Sequence, residues 1–242
     1  MSSDLGAVIA KRSISLSKTY PVIGIFMALF AALISSLSGV IGNLSSTGIP
    51  AGASGTSPLN LTTALPLVSV GLQVLAAVIF SMPVLQLYVY DKNNGVLEYF
   101  LSLGMNQGDI FRQYLKAALL LASGLVGLET VVNVAAGLIA GVGAPALLGV
   151  SGLVVALAIP VVSSEAQIMM SFSSLQKQRV GSNQPLGMAF GVFMVIPAYI
   201  IPLVFPSLAL TIDLLLASAI AVLSLTLYLS SSRLISREKL LP

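Results

Sequence analysis

Three of the chain's eight acidic residues, Glu129, Glu165 and Asp213, sit inside long apolar stretches. A carboxyl group at membrane depth is expensive to keep, so each is by default a candidate for handling protons or ions. Glu129 is near the middle of its stretch, and Asn133 falls one turn away on the same helix face. Glu165 has Gln167 close by. A protonated or hydrogen-bonded carboxyl that glues helices is the competing role for all three. That role weighs more for Glu165 and Asp213, which are nearer the ends of their stretches. Apart from Lys116, one turn inside its stretch, no Lys or Arg is available there as a counter-charge. The chain has no His and no Cys. The commonest general base and the thiolate nucleophile are therefore missing, as are the usual nitrogen and sulfur metal ligands. No catalytic residue and no metal site is expected, and the chain does not read as an enzyme.

The elements that carry these groups follow from composition. The 242 residues are 57% hydrophobic and 8% charged. A soluble domain has about 25% charged residues, so the chain reads as an all-α integral membrane protein in a lipid bilayer. Six stretches of spanning length are expected, at about 21–42, 64–90, 113–140, 147–172, 186–205 and 208–231. Residues 1–20 then form a cytoplasmic interfacial segment and 233–242 a cytoplasmic tail. The run before the first span is basic and the span is too long for a signal peptide, so it is expected to remain in place. With the N-terminus inside, ten of the eleven Lys and Arg fall in inner segments, and Lys116 can snorkel to the same side. The positive-inside pattern predicts a multi-pass protein of the cell membrane with both termini cytoplasmic. Nothing in the charge pattern points to nucleic acid.

The long outer loop is rich in Ser, Gly, Thr and Pro. It holds the two acceptor sequons, at Asn43 and Asn60, which are glycosylation candidates or chance matches. Pro197, Pro202 and Pro206 crowd the outer end of the fifth span, where they predict a kink or a re-entrant stretch.

The inner connection between the second and third spans is the most informative. Asp91 to Asn94 reads as a polar turn. Gly95 to Leu103 reads as a short helix, with Glu98 in its first turn and Gly104 as its stop. Asn106, followed by Asp109, reads as the cap of the next helix, which continues through Arg112 and Lys116 into the third span. The short helix carries Val96, Leu97, Tyr99, Phe100, Leu101 and Leu103 and is apolar around most of its circumference. It is too short to span a membrane. Such a surface packs on neighbouring spans or receives a protein partner.

The run "DKNNGVLEYFLSLGMNQGDIFRQYLK" resembles the corresponding loop in permeases of the ABC type-two transporter family. The match rests on Gly95, Leu97, Glu98, Phe100, Leu101 and Lys116, and it departs at Asn93, Asn94, Val96 and Gly104. Six spans with both ends inside also fit that family. The resemblance implies that Gly95, Val96, Leu97, Glu98, Tyr99, Phe100 and Leu101 form a coupling helix. Two cytoplasmic P-loop ATPase subunits would bind ATP and Mg, and the helix would dock on them. A second membrane subunit, identical or similar, would complete an exporter's pathway. The chain has no G-x-x-x-x-G-K-[ST] run, so the ATPase must be another polypeptide, and no cofactor is expected on this one. A secondary transporter using Glu129 and Glu165, and a structural membrane subunit of a larger complex, stand as alternatives.

Overall fold

In a computed structural model the described residues are 5–46, 61–139, 144–173 and 208–234, together with the four helical positions Phe193, Ile196, Pro197 and Ile200. The fifth expected span, with its prolines, otherwise lies outside the described residues, as does Asn60. The regular elements are α1 (Leu5–Leu16), α2 (Thr19–Ser46), α3 (Leu61–Asn93), α4 (Val96–Ser102), α5 (Gln107–Ile139), α6 (Ala144–Ser173) and α7 (Ala209–Leu234). Four of these helices, α3, α5, α6 and α7, are long and apolar enough to cross a membrane, and a fifth span results if the bent pair α1–α2 counts as one.

The helices overrun the expected spans. At 1.5 Å per residue, the 33 residues of α3 and of α5 each extend about 50 Å. The hydrocarbon layer is about 30 Å thick, so both helices are longer than a perpendicular crossing requires. Asp91 to Asn93, expected as a turn, are instead the last turn of α3. The helix continues because Asp91 finds partners on two other helices, which local sequence cannot show. Asn43 likewise falls within α2 and not in the outer loop.

α3 is the axis of the bundle. In its most apolar window 83% of residues are buried, against 17% for α7. It packs on α1, α2, α5 and α6. α2 shows why such a helix is stable in lipid. It buries Gly24, Ala28, Ala31 and Ala32 and turns Val22, Phe26, Leu29, Phe30 and Leu33 outward. Small residues let backbones approach, while large apolar side chains face lipid at no cost. A Cβ added at Gly24 would come within 3.1 Å of Phe80. In water, the same outward stripe would be an exposed patch calling for cover.

α1 meets α2 at 93°. The helix breaks at Ser17–Lys18 and restarts with Pro21 in the first turn of α2, where its missing N–H costs nothing. α1 is amphipathic and buries Gly6, Ile9, Ala10 and Ser13 against α3 and α5. A Cβ at Gly6 would meet Lys116 Cδ at 3.2 Å, so the glycine lets α1 lie close on α5. The described Lys and Arg all stand at one end of the bundle. Lys11, Arg12 and Lys18 lie on or beside α1, Lys92 ends α3, Arg112 and Lys116 open α5, and Arg233 is in the last turn of α7.

Candidate functional site

At this charged end α4 is held as a separate short platform. Gly95 precedes it with φ 72°, in the left-handed region that favours glycine. Its N–H donates to Lys92 O at 3.2 Å, and Asn94 Nδ2 donates to Tyr90 O at 2.8 Å. These contacts close α3 and redirect the chain. α4 ends in a Schellman motif. Gly104, with φ 82°, donates to Leu101 O at 3.0 Å, and Met105 N–H donates to Phe100 O at 3.2 Å. Asn106 precedes α5, and its carbonyl accepts from Asp109 and Ile110. The glycine brackets read from sequence are thus in place, while the helix itself is two residues shorter.

The faces of α4 are unequal. Leu97 is fully buried and joins the main core, with Phe100 and Leu101 half-buried against it. Val96 and Glu98 are half-buried. Tyr99 and Leu103 are 61% and 62% exposed. The helix is therefore seated by Leu97 and displays Tyr99 and Leu103. Leu97, named above among docking residues, faces the bundle.

Beside α4, Asp91 holds three helices together. It is 1% exposed. Its Oδ1 faces Arg12 Nη2 of α1 at 2.9 Å, and its Oδ2 accepts from Arg12 Nη1 at 3.2 Å. Tyr114 of α5 donates its hydroxyl to the same Oδ2 at 2.6 Å. The Tyr114 ring meets Tyr88 edge-on, with centroids 5.2 Å apart. Sequence reasoning missed this cluster. Asp91 was legible as polar, but its partners are 79 and 23 residues away. The amphipathic α1, with Arg12 near its middle, was the one available hint.

The intramembrane candidates are also enclosed. Glu129 and Asn133 are 2% and 3% exposed on the inner face of α5, as their spacing predicts. Glu165 and Asp213 are fully shielded, although each was expected nearer an end. The carboxyl oxygens of Glu129, Glu165 and Asp213 have no hydrogen-bond partner among the described residues. Gln167, beside Glu165, works in a seam to α7. Its Nε2 donates to Ser163 Oγ at 2.9 Å and to Ser224 O at 3.2 Å, while Ser224 Oγ donates to Ser163 Oγ at 2.8 Å. Gln73 of α3, which the sequence did not single out, is fully buried with both amide atoms unpartnered among the described residues. Among the described residues no group of three or more Asp or Glu could hold a metal ion.

No family model matches the chain, and neither does any curated protein or solved structure.

Proposed function

We propose that the chain is the membrane subunit of an ATP-driven exporter, paired with a second membrane subunit and driven by separate ATPase subunits docked on α4. The observation that carries this reading is the division of α4. Leu97 fixes the helix to α3 and α5, and Tyr99 and Leu103 remain displayed at the charged end. A push on that face reaches the bundle through a short, glycine-bracketed element and the adjoining Asp91 cluster. In this proposal the chain crosses the cell membrane six times with both termini cytoplasmic. Clustering of the described Lys and Arg at one end supports that orientation. The 93° bend then lays α1 along the inner surface.

Purification of the full chain from its host in mild detergent tests the docking. A nucleotide-binding protein should accompany it, and Tyr99→Ala with Leu103→Ala should release that protein while the chain stays folded. Absence of such a protein, or its retention by the double variant, would overturn the reading. A secondary transporter is the second reading, and the unpartnered carboxyl of Glu129 favours it. That function would need no ATPase.

A further inference from the structure

The interior of the bundle holds a second polar group, independent of α4. α3 and α5 run antiparallel, with Tyr88 packed on Tyr114. Fifteen residues along each helix from that contact, in opposite sequence directions, stand Gln73 and Glu129. They therefore share one level of the bundle. Their faces are fixed by a nearer contact, since Ala28 of α2, Ala76 of α3 and Leu125 of α5 form one buried cluster. Gln73 lies three residues from Ala76 and Glu129 four from Leu125, so both continue the same helix faces by one turn. Asn133 follows Glu129 by another turn. On α2 the turn after Ala28 supplies Ala31 and Ala32, both buried.

Three side chains, each at least 97% buried, thus meet one interface with no hydrogen-bond partner for Gln73 Oε1 and Nε2, Glu129 Oε1 and Oε2, or Asn133 Oδ1 and Nδ2 among the described residues. Buried polar groups left in this way are costly, and more so in lipid. The group offers one carboxylate and two amide oxygens. Oxygen donors suit hard cations. A single carboxylate balances one positive charge, whereas a divalent ion would leave an uncompensated charge in a low-dielectric interior. We propose that Glu129, Gln73 and Asn133 form a binding site for one monovalent metal cation of the Na⁺ class.

The proposal does not rest on ATPase docking. Protons compete for the same carboxylate. Among the described residues, α2, α3 and α5 bring no other titratable group to this level. Described α2 has none after Tyr20, and described α3 has none before Tyr88. α5 has none between Lys116 and Glu129, α6 carries Glu165 alone, and α7 has Asp213 and then Tyr228 before its last turn. Asp213 lies on α7, whose main packing is with α6, so it serves as the control.

Thermal unfolding of the purified full chain in detergent tests the site, with NaCl exchanged for choline chloride at constant ionic strength. Saturating Na⁺ should raise the midpoint by about 5 °C, and the half-saturating concentration should fall as pH rises. Glu129→Gln should abolish the response, Gln73→Leu should raise the half-saturating concentration at least about tenfold, and Asp213→Asn should retain it. Equal midpoints in Na⁺ and choline at every pH would overturn the site and leave Glu129 a proton-bearing group only. A full Na⁺ response in both Glu129→Gln and Gln73→Leu would place the ion elsewhere. If Glu129→Gln does not fold, Gln73→Leu and the choline comparison decide.

Discussion

Asp91 and Glu129 are carboxyl groups of nearly equal burial, 1% and 2% exposed, on adjacent helices. Asp91 is met by a guanidinium and a phenol hydroxyl at 2.9 and 2.6 Å. About 27 Å farther along α3, at the level of Gln73, Glu129 has neither a cation nor a hydrogen-bond donor among the described residues. Burial is therefore a poor guide to role. A carboxylate with fixed partners ties helices together, and its neighbours would have to separate before it could bind anything else. One with unused oxygens among small side chains has capacity left for a guest. The first kind suits the end of the bundle where α4 is seated, and the second suits its interior.

Five substitutions break or sharpen this contrast. Leu97→Asp should have the largest effect. It places a charge at the fully buried seat of α4 and should cost about 4 kcal/mol of unfolding free energy in detergent. The loss should appear with or without any partner protein, which separates the seat of α4 from its displayed face. Tyr114→Phe removes a hydrogen bond to a charged group and should cost about 2 kcal/mol, seen as a lower denaturant midpoint. Asp91→Asn should resemble it, and the double variant should cost less than the sum of the two. Arg12→Ala should cost less, about 1 kcal/mol, because the side chain is 44% exposed and water screens the pair. Glu129→Gln should change stability least, by about 0.5 kcal/mol or less in the absence of Na⁺, since no observed partner is lost. A Glu129→Gln penalty as large as that of Asp91→Asn would show that both carboxyls are structural and erase the distinction.

α4 illustrates how far local sequence reaches. Gly95 and Gly104 mark its two ends because a left-handed φ suits glycine, and the structure puts them at 72° and 82°. What they do not reveal is which face is buried. Leu97 and Tyr99 are both apolar enough to be either seat or display. The choice falls to the position of α3 and α5 beneath the helix. Glu129 and Asn133 were similarly legible as one face of α5, but Gln73 was not. A lone Gln in a long apolar run carries no pattern until the α3–α5 register sets it at the level of Glu129.

The sequence by itself determined the helical class, the long apolar helices, the segregation of Lys and Arg, and the brackets of α4. Each of these depends on composition or on residues within a turn or two of one another. Tertiary structure alone decided that Asp91 closes the joint of α1, α3 and α5, that Leu97 points inward, and that Gln73 shares a level with Glu129. The joint depends on contacts between residues 23 and 79 apart in sequence, and the shared level of Gln73 and Glu129, 56 apart, depends on the register of α3 against α5. Helix packing chooses such pairs through the fit of small residues such as Gly6, Gly24 and Ala28, and the polar side chains then occupy whatever register that fit allows.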